Sequence, residues 1–127
     1  EMIDKFKLEK IISFESGSDY ELKRIYNKAA LFVYPSMDEG FGIPPLEAMA
    51  SGCVTAVSRA GSLPEILESS SEFFDPSSYE SIRSSLESVL SDEEKRKTLQ
   101  SLGLQTAQKF TWKKTAQKLV DIYKTLI

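Results

Sequence analysis

Short apolar runs and amphipathic segments alternate along the first 76 residues. Runs bounded by turn-forming residues predict four strands, the last of them weak: Lys10–Phe14, Leu31–Tyr34, Cys53–Val57 and Glu72–Phe74. The segments between them predict a helix over Tyr20–Ala30 capped by Asp19, a helix from Ile43 or Pro44 to Ser51 ended by Gly52, and a helical turn over Leu63–Leu67. This alternation predicts an α/β fold with a parallel sheet.

Only helices are predicted beyond Pro76. Three are expected there: Ser78–Leu90, a second from Asp92 to about Phe110, and a last one capped by Thr111. We expect this helical tail to pack across the sheet. On the amphipathic last helix, Trp112 is interpreted as a core anchor rather than as a platform on which a sugar stacks.

The composition is that of a soluble globular domain of 127 residues, 41% hydrophobic and 28% charged. A net charge of −3 argues against a nucleic-acid surface, which needs a basic face. Histidine is absent, and the single Cys53 is interpreted as a small buried hydrophobe; no metal or cofactor is expected. No apolar run approaches the roughly 18 residues of a membrane span, so the cytoplasm is the expected location, with peripheral contact at its membrane face left open.

The most informative chemistry lies in Pro35–Glu47, PSMDEGFGIPPLE. Glu39 and Glu47 have seven residues between them and bracket the turn Gly40-Phe41-Gly42. A strand, a glycine loop and a helix in this order direct main-chain N–H groups and a positive helix end at an anion. The two acids can accept hydrogen bonds from hydroxyls. The pattern therefore predicts a ligand with both phosphate and polyol groups, such as a sugar nucleotide.

The stretch from Tyr34 to Ala50, with its E-x7-E element, resembles the retaining glycosyltransferases of family 4, also called group 1. Further matching elements follow in order: Ser51-Gly52-Cys53, Ser62-Leu63-Pro64-Glu65, Phe74-Asp75-Pro76 and Phe110-Thr111-Trp112. The resemblance covers the chain from Lys10 onward. Such a linear series is specific, whereas a lone E-x7-E would be weak.

The resemblance implies a GT-B architecture, in which two Rossmann-like domains face each other across a cleft. Residues 1–127 correspond to the later part of the C-terminal, nucleotide-sugar-binding domain. The acceptor domain of the parent chain and the first strands of the donor domain are expected to be missing, together with the Arg and Lys that grip the diphosphate. The implied reaction transfers a sugar from a nucleoside diphosphate to an acceptor hydroxyl with retention of configuration, and the piece alone is expected to be inactive.

The resemblance also assigns roles to the residues of the motif. Glu39 is the implied catalytic residue, beside the transferred sugar and near its anomeric carbon, and Glu47 is similar to the acid that binds the ribose hydroxyls. The implied donor-binding residues are Glu39, Gly40, Phe41, Gly42, Ile43, Leu46 and Glu47. The residues between the two acids are expected to bind sugar and phosphate oxygens through their main-chain N–H groups, and glycine permits close approach of the ligand.

Two alternatives remain open at this point. The chain could be a non-catalytic α/β module that keeps the fold for partner binding, and loss of nucleotide affinity on Glu47→Ala would separate the two functions. Two copies could also share a sheet, or Lys10–Phe14 could pair with Leu31–Tyr34, because an unpaired apolar strand edge favours association.

Overall fold

Three short parallel strands form the centre of the computed structural model, which describes residues 1–126. The strands are β1 (Phe32–Tyr34), β2 (Thr55–Ser58) and β3 (Glu72–Phe74), in the spatial order β1-β2-β3. The helices are α1 (Met2–Phe6), α2 (Asp19–Lys28), α3 (Ile43–Ala50), α4 (Leu63–Leu67), α5 (Tyr79–Ser91), α6 (Glu93–Lys109) and α7 (Trp112–Thr125). The predicted α/β fold with a parallel sheet is confirmed.

The register of the sheet places the carboxyl ends of the strands side by side. Tyr34 at the end of β1 is opposite Val57, and Ser58 at the end of β2 is opposite Phe74. All four residues of β2 are buried, as expected for a central parallel strand covered on both faces. The loops that follow β1 and β2 therefore leave the same edge of the sheet.

The main core lies between β2, α3 and α4. Its fully or nearly fully buried apolar side chains are Leu46, Met49, Val57, Leu63 and Leu67. Helix α6 packs against α3, and α5 packs against β3. Of the helices predicted to pack across the sheet, α5 therefore contacts a strand directly, whereas α6 packs on α3 and α5.

Several predicted helix ends are confirmed. Asp92 accepts a hydrogen bond from the N–H of Lys95, and Thr111 accepts one from Lys114. Gly52 has φ of 78° and follows α3, in the left-handed conformation that commonly closes a helix. At α2 the cap is Ser18 rather than the predicted Asp19.

The predicted strand at Lys10–Phe14 is wrong. These residues form turns and irregular backbone, with Ile11 78% and Phe14 87% exposed. A strand requires a hydrogen-bonded neighbour, and the edge of β1 that could receive one has no partner among residues 1–126. The sheet described here thus has three strands where the sequence predicts four.

The predicted core position of Trp112 is also wrong. Its side chain is 82% exposed, and α7 buries no residue. The helix has the expected amphipathic pattern, but every one of its residues is exposed, those on the apolar side included. Cys53, in contrast, is 3% exposed and packs with Tyr26 and Ala48, which confirms its interpretation as a small core residue.

Candidate functional site

Serine hydroxyls near the carboxyl end of the sheet hold the loop between β1 and α3 by hydrogen bonds to its main chain. Ser58, the last residue of β2, donates a hydrogen bond to the carbonyl of Ser36. Ser36 in turn donates to the carbonyl of Asp38 over 2.9 Å. These bonds fix the start of the loop relative to β2, and the predicted binding residues follow directly.

Glu39 is partly buried, and its carboxylate has a partner that the sequence did not indicate. The hydroxyl of Tyr34, the last residue of β1, donates a hydrogen bond to Oε1 of Glu39. This bond raises the pKa of Tyr34 to about 12, because ionisation would break it and place two negative charges together. Tyr34 therefore remains a donor to Glu39 throughout the physiological pH range.

The main chain of Glu39 is held by the loop that follows β2. Ser62 donates to the Glu39 carbonyl from both its N–H, over 3.2 Å, and its hydroxyl, over 3.3 Å. Beside it, Gly61 has φ of 52°, and a Cβ there would lie 2.4 Å from the Glu39 carbonyl oxygen. Only glycine allows this approach of the two loops.

Gly42 makes the turn from the loop into α3. It is the N-cap residue with φ of 90°, in the left-handed region, and a Cβ on it would lie 2.4 Å from Cδ2 of the buried Leu63. Gly40 has open space around its Cα. Glycine is thus required at Gly42 by both the backbone angle and the packing, while the predicted close approach of a ligand stays a prediction.

The turn leaves a row of main-chain donors available. The N–H groups of Gly40, Phe41, Gly42 and Ile43 donate to no acceptor within residues 1–126. Pro44 and Pro45 follow in the first turn of α3 and carry no N–H. Four successive donors beside a helix N-terminus are a suitable arrangement for phosphate or sugar oxygens.

The remaining predicted residues take different positions. Phe41 and Ile43 are partly exposed, and the Phe41 ring meets Phe110 edge to face with centroids 5.6 Å apart. Leu46 is buried in the main core, so only its N–H is available for the predicted role. Glu47 is exposed on α3.

Glu39 and Glu47 border one wall of aromatic rings, made of Tyr26, Phe32 and Tyr34. The Tyr26 and Phe32 rings meet edge to face at 5.2 Å, and Phe32 and Tyr34 stack at 6.0 Å. Burial raises the pKa of Tyr26, and the nearby negative charge of Glu47 raises it further. Glu39 is bonded to Tyr34 at the other end of this wall.

Surface concavity alone does not mark this site. Two cavities of about 490 and 250 Å³ are lined by residues of α2 and its preceding loop, and by residues around Gly52 and α6. Neither cavity is lined by a residue of the loop between β1 and α3. The described residues also bring together no group of three or more potential metal ligands, and none of their helices is both long and apolar enough to cross a membrane.

Three site residues were missed by sequence reasoning: Tyr34, Gly61 and Ser62. Tyr34 was counted as part of an apolar strand, and its hydroxyl at the end of that strand was the available signal. Ser62 belongs to one of the elements that carry the family resemblance, but the sequence assigns it no role at the site. Its contact with Glu39 spans 23 positions, which no local pattern reveals.

Comparisons with known proteins identify the family. The sequence profile of the family described as glycosyl transferases group 1 matches residues 1–106. The chain is 39% identical over 110 residues to a serotype-specific mannosyltransferase, WbdA, from Escherichia coli, an alignment that covers 87% of this chain and 14% of that protein. The chain thus spans only a small part of this relative.

Two solved structures have the same fold. Sucrose-phosphate synthase from Thermosynechococcus elongatus superposes with a TM-score of 0.87 at 26% identity, covering 98% of this chain and 32% of the synthase. The C-terminal domain of a group 1 family glycosyl transferase, LpcC, from Francisella tularensis gives a TM-score of 0.71 at 30% identity, with 85% and 57% covered. The fold is that of the C-terminal domain of a GT-B glycosyltransferase, and the chain belongs to the group 1 glycosyl transferases.

Proposed function

We propose that the loop from Ser36 to Glu47 binds a nucleoside-diphosphate sugar, and that this chain supplies the donor-binding part of a retaining glycosyltransferase. The observation that carries the proposal is the row of four N–H groups from Gly40 to Ile43, which meet no acceptor within residues 1–126 and have a carboxylate on either side of them in the sequence. The N–H groups suit the diphosphate and sugar oxygens, and the carboxylates suit hydroxyls.

In this proposal the two acids have separate tasks. Glu47, exposed on α3, accepts hydrogen bonds from the ribose hydroxyls, as acids of dinucleotide folds do. Glu39, at the end of the aromatic wall, contacts the transferred sugar near its anomeric carbon and is the catalytic residue. The bond between the anomeric carbon and the diphosphate oxygen then breaks, the acceptor oxygen bonds to that carbon, and the acceptor's proton leaves with the departing nucleoside diphosphate.

Magnitudes indicate that this chain is one part of the machinery. A helix N-terminus stabilises a neighbouring anion by ~0.3–2 kcal/mol. Enzymes lower their barriers by ~8 kcal/mol or more, and stabilisation of the leaving diphosphate should dominate here. In this proposal, basic groups and the acceptor domain of a parent chain supply the remaining stabilisation, so we expect weak donor binding and no turnover from residues 1–127 alone.

Ligand-detected NMR or calorimetry with uridine, guanosine and adenosine diphosphate sugars tests the proposal. Mannose-bearing donors come first, because the Escherichia coli relative is named as a mannosyltransferase. We expect a Kd of the order of 1 mM, equivalent to about −4 kcal/mol. Absence of binding to every donor would overturn the proposal, and sugar transfer by the chain alone would overturn the expectation of no turnover.

A matched pair of variants separates a donor site from a partner-binding module. Glu47→Ala should weaken nucleotide-sugar binding about 10-fold or more, because a hydrogen bond to a charged group is lost. Glu80→Ala removes an equally exposed helical glutamate far from the loop in sequence and should leave the affinity unchanged. Equal affinities for wild type and Glu47→Ala would favour the non-catalytic module.

A further inference from the structure

The side chain and the main chain of Glu39 are each held by a residue from a different strand end. Tyr34 at the end of β1 bonds the carboxylate, and Ser62, beyond the end of β2, bonds the carbonyl. We propose that Tyr34 and Ser62 are positioning residues that fix Glu39 for its contact with the sugar of the donor. The inference rests on the proposed function and adds to it the two groups that set the orientation of the acid.

Tyr34 is itself firmly placed, which is what a positioning role requires. Its ring stacks on Phe32 and packs against the main core, while its hydroxyl reaches Glu39. A hydrogen bond from a phenol to a carboxylate is charge-assisted and directional. With Oε1 engaged by Tyr34, Oε2 has no bond to any of residues 1–126 and is left for a ligand hydroxyl.

Ser62 fixes the main chain of Glu39. Its N–H and hydroxyl converge on one carbonyl, and the absence of a Cβ at Gly61 lets the two loops meet. Leu63, the next residue, is fully buried and anchors the loop to the core. Rotation of the Glu39 peptide would therefore break two hydrogen bonds and disturb a packed loop.

The contact between Tyr34 and Glu39 is tested first, without any ligand. Absorbance titration of tyrosine ionisation should show one group near pH 12 that is missing in Tyr34→Phe. Glu39→Gln should shift that group towards the ordinary tyrosine value of about 10, since the negative acceptor is gone. An unchanged titration in Glu39→Gln would overturn the Tyr34 half of the inference.

The positioning role is tested by a double-mutant cycle on ligand affinity. Affinities are measured for a nucleoside-diphosphate hexose and for the bare diphosphate of the same base. Tyr34→Phe and Glu39→Gln should each weaken hexose-donor binding by about 3- to 10-fold, the effect of one hydrogen bond, and leave the bare diphosphate unchanged. The double variant should lose no more than the larger single loss, because both act through one carboxylate.

Controls distinguish positioning from a general structural effect. Tyr79→Phe removes the hydroxyl of an exposed tyrosine and should alter neither affinity. Ser62→Ala should weaken hexose-donor binding selectively, by about 2- to 5-fold, and Ser62→Thr, which keeps the hydroxyl, should restore it. Equal losses for both ligands, or additive losses in the cycle, would overturn the positioning role. If donor binding falls in Glu39→Gln but not in the Tyr34 or Ser62 variants, this inference is refuted and the proposed function is left intact. If the wild type binds no donor, both are refuted.

Discussion

Two glycines of the site loop, two positions apart, have opposite surroundings. Gly42 has φ of 90° and faces the buried Leu63, whereas Gly40 has nothing within 4 Å of the place where a Cβ would be. Both were predicted to serve close approach of a ligand. Of these two glycines, only Gly42 is also required by the fold itself.

Alanine at these two positions should therefore have unequal effects. Gly42→Ala should lower the free energy of unfolding by ~1–2 kcal/mol for the left-handed backbone, with ~1–3 kcal/mol more for crowding of Leu63. Gly40→Ala should change it by less than about 0.5 kcal/mol, as for most surface substitutions. Urea unfolding of both variants measures the difference, and similar midpoints would contradict the environment described for Gly42.

At the scale of elements, helices α3 and α6 pack against each other at a glycine. A Cβ on Gly103 of α6 would lie 3.1 Å from Cγ of Met49 on α3, and Gly103 is buried. This crossing involves the last turn of α3, the helix into which the site loop leads. A larger side chain would push the two helices apart.

Gly103→Leu should destabilise the protein by ~1–3 kcal/mol or more, the usual effect of overfilling a packed contact. Gln105→Leu, on an exposed position of the same helix, serves as the control and should stay within about 0.5 kcal/mol of wild type. The comparison again uses urea unfolding. A stable Gly103→Leu variant would show that α3 and α6 can separate without consequence.

Helix α2 should loosen at its start in acid. The Glu21 carboxylate accepts hydrogen bonds from the N–H of Ser18, over 2.7 Å, and from its hydroxyl, and these bonds hold the pKa of Glu21 below its ordinary value. Because the pKa of Glu21 is lower in the folded than in the unfolded protein, its carboxylate stabilises the helix fully above about pH 4.3, the pKa in the unfolded chain. This stabilisation is lost as the pH falls through the pKa of the folded protein. Chemical shifts of residues 19–22 between pH 6 and 3 should show fraying, which Glu21→Gln should not show because glutamine does not titrate.

Elements defined by short-range patterns were predictable, and contacts across the sheet were not. Strands β1, β2 and β3 and the caps at Asp92 and Thr111 follow from apolar runs and capping side chains near them in sequence. Lys10–Phe14 has the same kind of pattern but pairs with no strand, although one edge of β1 is open within residues 1–126. The bonds from Tyr34 and Ser62 to Glu39 depend on how two loops meet in space, which spacing along the chain does not specify.

For the whole molecule, the core is concentrated in the middle of the chain. The fully buried apolar side chains lie between Pro45 and Val89, whereas no residue of α7 or of residues 1–18 is buried. The family explains the fold of this central part, and the chain covers only a small share of its relatives. Stability should therefore depend very unevenly on position.

Two leucine-to-alanine changes test this unevenness. Leu67→Ala removes a fully buried side chain and should cost about 2–5 kcal/mol. Leu119→Ala, on the exposed side of α7, should cost less than about 0.5 kcal/mol apart from a small change in helix propensity. A large loss of stability in Leu119→Ala would mean that α7 is packed in solution.

The exposure of α7 also has a practical consequence. Lys113, Lys114 and Lys118 lie in or beside its first turns, on a helix that no packing protects. Brief digestion with trypsin should therefore clip the polypeptide in this region and at the exposed lysines of residues 1–18, while the sheet resists cleavage. The trimmed product would retain both acids and the amide row, and would be a convenient form for crystallisation trials with soaked donors.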